Sequence, residues 1–132
     1  MFDSSRNARF SADERGAAYL RLSAARAATV ALLAALSRDL ADIMEANSLV
    51  AIDDEHDPDG SSTAFERAQV ASLLAQARER LSDLDQAVER LDHDGYGWCE
   101  RCGQAIPVER LEVRPAATTC VHCAEAHRAD RP

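Results

Sequence analysis

All four cysteines of this chain fall in two pairs, Cys99-Glu100-Arg101-Cys102 and Cys120-Val121-His122-Cys123, spaced C-x2-C-x17-C-x2-C. No other feature constrains the fold as strongly. Two residues between thiolates let one tight turn aim both sulfurs at one ion, and a second such turn completes a four-sulfur cage. Gly103, directly after the first pair, relieves backbone crowding in that turn. The competing readings are disulfides or a redox pair. Disulfides belong to oxidising compartments, and the start Met1-Phe2-Asp3-Ser4-Ser5-Arg6 carries no apolar stretch of the kind that directs export. A thioredoxin-like motif needs one C-x-x-C in a βαβ setting, which two pairs here do not have. The spacing therefore predicts one structural Zn²⁺ on Cys99, Cys102, Cys120 and Cys123. Four thiolates close the coordination shell, so the metal holds structure and performs no chemistry. His93, His122 and His127 lie close in sequence and read as solvated surface side chains.

Aromatic residues are only 5% of the chain and alanine is abundant, which makes a wide globular core hard to build. Helices, a coiled-coil seam and a metal staple are the economical solution. Consecutive apolar runs fall short of the roughly 18 residues that a bilayer span needs, so a cytoplasmic chain with no membrane partner is expected. The net charge is −8. A field of that sign repels phosphate backbones, and no direct sequence-specific nucleic-acid binding is expected despite the finger. Arg101, Arg110 and Arg114 alternate with Glu100, Glu109 and Glu112 and make no clean basic patch. No Ser/His/Asp or Cys/His catalytic set and no phosphate-cradling glycine loop is present, so the chain does not read as an enzyme.

Residues 1–10 lack periodicity and are expected to form a flexible N-terminal arm. Ser11 with Glu14 reads as a capping box, and from there Tyr19, Leu22, Arg26, Thr29, Leu33, Leu36, Leu40, Ile43 and Asn47 recur at steps of three and four. Thr63 with Glu66 offers a second capping box, followed by Val70, Leu74, Ala77, Leu81, Leu84, Val88 and Leu91. Two such helices, over about residues 11–47 and 63–93, are expected to fold back on each other. The predicted fold is mainly α: a long antiparallel coiled-coil helical hairpin over 11–94, and a small C-terminal four-cysteine zinc-finger knob over 95–132 with a short final helix from Val121 to Arg128. Gly95 is expected to stop the second helix. Ile106 to Val113 suits a turn-rich ribbon, with Pro115 blocking helix.

The segment 49–62 is expected at the hairpin tip, farthest from the zinc. Its acids Asp53, Asp54, Glu55, Asp57 and Asp59 surround His56, Pro58 and Gly60. A turn accounts for Asp, Pro and Gly, but not for so many carboxylates, which repel one another and stay solvated. From Glu55 to Glu66 the oxygens nearly follow a calcium-loop pattern, with Gly60 at its glycine position. Glu stands for Asp at the first ligand and Ser62 replaces the usual apolar residue, so Ca²⁺ or Mg²⁺ binding at the tip is not expected.

The run Gly95-Tyr96-Gly97-Trp98-Cys99-Glu100-Arg101-Cys102-Gly103-Gln104-Ala105-Ile106, then Arg110-Leu111-Glu112-Val113-Arg114-Pro115-Ala116, then Cys120 to Cys123, resembles the C-terminal zinc finger of the DksA/TraR family. The resemblance covers the last third of the chain. It implies a transcription regulator that binds bacterial RNA polymerase, with a coiled-coil hairpin in the secondary channel and acidic tip residues near the catalytic Mg²⁺. The family's tip pattern is Asp-x-x-Asp-x-Ala, whereas here Asp54-x-x-Asp57 is followed by Asp59. Family members of the DksA type also bind guanosine tetraphosphate, and Arg114 matches one basic position used for it. Two others are Asp83 and Ala124 here, so weak or no binding of that nucleotide is expected. Two other readings stay open at this point. One is a zinc-finger coiled-coil module that binds another protein, or itself, outside the polymerase channel. The other is a zinc-thiolate redox sensor.

Overall fold

A computed structural model describes residues 9–53 and 59–129; for 49–53 and 59–61 only the helical backbone is described. Four helices follow in order: α1, Ala12–Asp53; α2, Asp59–Asp92; α3, Val108–Val113; and α4, Val121–Ala129. The described residues contain no strand, only an isolated antiparallel bridge between Trp98 and Ala105. The architecture is the mainly helical one expected, an antiparallel pair of long helices with a four-cysteine knob and a short last helix. The chain divides into two compact units, one of Met1–Arg26 with Ser82–Pro132, the other of Ala27–Leu81.

In the first unit, α1 starts as its sequence dictates. Glu14 N–H donates to Ser11 Oγ at 3.1 Å and Ser11 N–H donates to Glu14 Oε1 at 3.0 Å, closing the capping box. Leu22 of α1 and Leu84, Ala87 and Leu91 of α2 are buried together with Tyr96, Ile106 and Leu111 of the knob. The finger thus folds onto the helix pair as part of the same core. Two seam positions differ from expectation. Tyr19 is 51% exposed while Ala18 is fully buried, in the cluster that the helices share with Tyr96, Ile106 and Leu111 of the knob. Arg26 points outward and pairs with Asp85 at 2.6 Å, and half-buried Ala25 takes the inner position.

In the second unit, Leu36, Leu74 and Ala77 form a smaller cluster flanked by Leu33, Leu40 and Val70. These are the residues the heptad steps single out. Over Ala12–Ser48, α1 is also more apolar than expected: an 18-residue window with no more than two charges reaches a mean hydropathy of 1.4, enough by length and composition to cross a membrane. Alanines at 27, 28, 31, 34 and 35 raise the mean between the leucines that pack against α2.

Both long helices extend past their expected ends. Leu49, Val50, Ala51 and Ile52 carry α1 on beyond Asn47 to Asp53, and α2 begins at Asp59 instead of Thr63. The helix starts directly after a proline in the sequence, and proline is well tolerated at the beginning of a helix. Thr63 consequently lies inside the helix. Of the 14-residue linker expected over 49–62, residues 49–53 and 59–62 are helical. Asp54, Glu55 and Asp57 lie outside the described residues, and Asp53 and Asp59 are placed by their backbone alone. The helix from Asp59 also takes up the second half of the calcium-loop pattern.

Candidate metal centre

The chain reaches the first cysteine pair through the end of α2. Gly95 N–H donates to Arg90 O at 2.8 Å and Asp94 N–H to Leu91 O at 3.3 Å, the paired bonds of a Schellman cap. The left-handed residue of this cap is Asp94, with φ 59°, and not the expected Gly95. Asp94 can hold that conformation because a short polar side chain tolerates it better than other non-glycine residues. Its carboxylate also meets Arg15 Nη1 at 3.0 Å.

From Gly97 to Ile106 the backbone closes a knuckle. Ile106 N–H donates to Gly97 O at 2.8 Å, Cys99 N–H to Gln104 O at 2.8 Å, and Gly103 N–H to Cys99 O at 2.9 Å. Gly103 sits at φ 75°, which confirms the glycine requirement read from the sequence. The second pair opens α4: Ala124 N–H donates to Cys120 O at 2.9 Å, so Cys120 precedes the helix and Cys123 lies in its first turn. Glu100 N–H donates to Thr118 O at 2.8 Å and ties the two halves together.

Between them the expected ribbon is replaced by α3. Pro107 stands at its start, where a missing N–H costs nothing. Leu111 is fully buried, Tyr96 Oη donates to Pro115 O at 2.7 Å, and Arg110 Nε donates to Thr119 O at 2.8 Å. Arg114, singled out in the sequence, ends α3 with an exposed side chain.

The four sulfurs lie within 4.8 Å of one another, and Cys102 Sγ is 3.9 Å from Cys120 Sγ. Sulfurs at about 2.3 Å from the centre of a tetrahedron stand about 3.8 Å apart, so these dimensions fit a zinc ion. The electrostatics fit as well. Burial opposes charge on Cys99, yet backbone N–H groups of Cys102, Cys120 and Arg101 aim at its sulfur and lower its pKa below the usual thiol value. Cys123 moves the other way, raised first by contact with the Cys120 thiol and then by burial. Four sulfurs so close cannot all lose protons without a cation among them. Among the described residues the histidines stand apart from this cluster: His122 and His127 are exposed, and His93 Nδ1 lies 2.8 Å from Glu89 O of its own helix.

Two residues of the expected flexible arm, Arg9 and Phe10, pack against this centre. Arg9 donates to Gly97 O and Ile106 O, with its guanidinium 4.7 Å from the Phe10 ring centroid and 5.6 Å from that of Trp98. Phe10 packs on Tyr96 at 6.1 Å between centroids. An apolar residue just ahead of a helix cap often anchors the entering chain, and Phe10 before Ser11 was the available signal. Arg90 supports the same turn, donating to Trp98 O at 3.2 Å and Gly95 O at 3.4 Å.

Residues 95–129 match the family described as prokaryotic DksA/TraR C4-type zinc finger. The RNA polymerase-binding transcription factor DksA of Caulobacter vibrioides is 38% identical over 69 residues, covering 52% of this chain and 49% of that protein. Uncharacterized protein YteA of Bacillus subtilis is 38% identical over 66 residues, 50% of this chain and 28% of its own length. The chain therefore spans about half or less of these curated relatives. Among solved structures, transcription factor DksA2 from Pseudomonas aeruginosa aligns with a TM-score of 0.72 at 24% identity, covering 92% of this chain and 88% of that one. At that identity the likeness shows a shared fold.

Proposed function

We propose that this chain, whose residues 95–129 match the DksA/TraR C4-type zinc-finger family, is a non-enzymatic cytoplasmic regulator that binds bacterial RNA polymerase. In this reading one structural zinc sits on Cys99, Cys102, Cys120 and Cys123 and fixes the knob. The helix pair carries the carboxylates Asp53, Asp54, Glu55, Asp57 and Asp59 into the secondary channel, where they act on the Mg²⁺-bearing centre.

One observation carries the proposal above all: the stretch that matches the family's finger is the stretch whose four sulfurs converge to zinc-sized separations. Curated relatives named as RNA polymerase-binding factors, matched over half of this chain, support the choice of partner. The antiparallel helix pair shared with DksA2 supports the choice of scaffold. Guanosine tetraphosphate is a weak ligand or none. Arg114 is exposed and available, but Asp83 and Ala124 stand where the family places further cations, and a polyphosphate without them loses charge-assisted hydrogen bonds.

The test is capture of core polymerase by the purified full chain, followed by in vitro transcription with the triple variant Asp54→Asn, Asp57→Asn, Asp59→Asn. The proposal expects capture by both proteins and loss of the transcriptional effect in the variant alone. No capture of core enzyme, or an unchanged effect of the variant, would overturn it.

A further inference from the structure

The Arg9 side chain bridges two carbonyls that lie at opposite ends of one loop. Gly97 O precedes Cys99 and Ile106 O follows Cys102, so the guanidinium spans the base of the knuckle that presents the first thiolate pair. The contact is built on both sides. Gly97 has φ 89°, and a Cβ there would meet Arg9 Nη1 at 2.6 Å and the Phe10 ring at 2.7 and 2.8 Å. Only glycine leaves the space that the strap occupies. The rings of Phe10 and Trp98 flank the cation, and Phe10 rests on Tyr96, whose hydroxyl is tied to Pro115 beyond α3. Burial lowers the pKa of Arg9, the sign of a cation taken partly out of water for the sake of these contacts.

We propose that Arg9 and Phe10 form a strap whose docking is thermodynamically linked to metal loading of the finger, so that loss of the ion releases the strap and loss of the strap weakens the ion. This rests on the zinc reading above. The reasoning is one of reciprocity. In so small a knob the metal supplies the folding energy. Without it, the distance between Gly97 O and Ile106 O is no longer fixed, and a forked donor that needs both carbonyls loses its partner geometry. Whatever Arg9 gains from the closed knuckle must then appear in the metal affinity, and the metal must favour docking of Arg9 by the same factor. The N-terminal side of α1 thereby senses whether the finger is loaded.

The full-length chain tests this. Zinc affinity is measured by competition with a colorimetric chelator for wild type, Arg9→Ala, Arg9→Lys and, as a control, Arg26→Ala at the exposed Asp85 pair. Trp98, the sole tryptophan, reports the strap by fluorescence. Trypsin cleavage after Arg9, followed by mass spectrometry with and without chelator, reports its release. The linkage expects Arg9→Ala to weaken zinc by about tenfold or more, Arg9→Lys to fall between, and Arg26→Ala to stay within about twofold of wild type. It also expects chelation to accelerate cleavage after Arg9 in the wild type. An Arg9→Ala affinity within about twofold of wild type, or cleavage indifferent to zinc, would overturn it. A wild-type chain that takes up no zinc at all would sink the underlying metal reading instead.

Discussion

Arg15 and Asp94 meet at 3.0 Å, and the aspartate in that pair holds the left-handed conformation that closes α2 just before the finger begins. One residue thus performs two tasks with opposite preferences. Glycine would suit the backbone better, whereas the ion pair needs the carboxylate. Both side chains are more than a third exposed or close to it, so the pair is screened and contributes about 0.2–1 kcal/mol. Asp94→Gly should accordingly leave stability within about 0.5 kcal/mol, since relief of the left-handed strain offsets the lost pair. Asp94→Ala keeps the strain and loses the pair, and should cost about 1–2 kcal/mol. Urea midpoints of the zinc-loaded variants separate the two.

The seam is tested where sequence and structure differ. Leu84→Ala, at a fully buried position, should cost about 2–5 kcal/mol. Tyr19→Ala should stay within about 0.5 kcal/mol, because its side chain faces solvent. Ala18→Leu should cost about 1–3 kcal/mol by overfilling the contact with the finger. Thermal unfolding with excess zinc gives the ranking, and a large loss in Tyr19→Ala would restore the heptad assignment.

Tyr96 gives a pH dependence. Burial raises its pKa, with Arg21, Arg90 and Arg9 pulling the other way. The neutral phenol is therefore the form the fold stabilises. That contribution is complete below the ordinary tyrosine pKa of about 10 and is lost as pH climbs through the raised native value. Tyr96→Phe should cost about 1–3 kcal/mol at pH 7, because the buried Pro115 carbonyl loses its donor. The gap between variant and wild type should narrow above pH 10, read from urea unfolding at stepped alkaline pH.

Glu14 behaves in the opposite sense at the start of α1. Its bonds with Ser11 lower its pKa, so its contribution is present above the ordinary carboxylate pKa and fades as pH falls through the depressed one. Glu14→Gln should therefore differ from wild type at pH 7 and converge with it in acid, by the same unfolding measurement.

These residues also show how far the sequence speaks for the fold. The four cysteines, the Ser11 and Glu14 box, and Leu22, Leu36, Leu74 and Leu84 were legible because each obeys a local rule of spacing or periodicity. What stayed hidden depends on contacts distant in the chain. Ala18, not Tyr19, is buried in the core that includes the finger's Tyr96, Ile106 and Leu111, and Arg9 is fixed by carbonyls about ninety residues away. A proline reads both ways: Pro115 is a helix breaker in the sequence, yet Pro107 stands where a helix can begin, and α3 starts directly after it. At the helix ends, Asp94 took the place of Gly95 because an ion pair favours the aspartate there. The expected 49–62 linker is too long because α1 runs on to Asp53 and α2 already starts at Asp59, ahead of the Thr63 box.

The claim on which the rest depends is that Cys99, Cys102, Cys120 and Cys123 bind one zinc ion that folds the finger. Metal content of the purified chain, by mass spectrometry of its elements, tests it directly alongside Cys99→Ser and Cys120→Ser. The account predicts one zinc per wild-type chain, and loss of both the metal and the near-ultraviolet dichroism of Trp98 and Tyr96 in each variant. A wild type free of zinc, or variants that keep a full equivalent with unchanged dichroism, would contradict it.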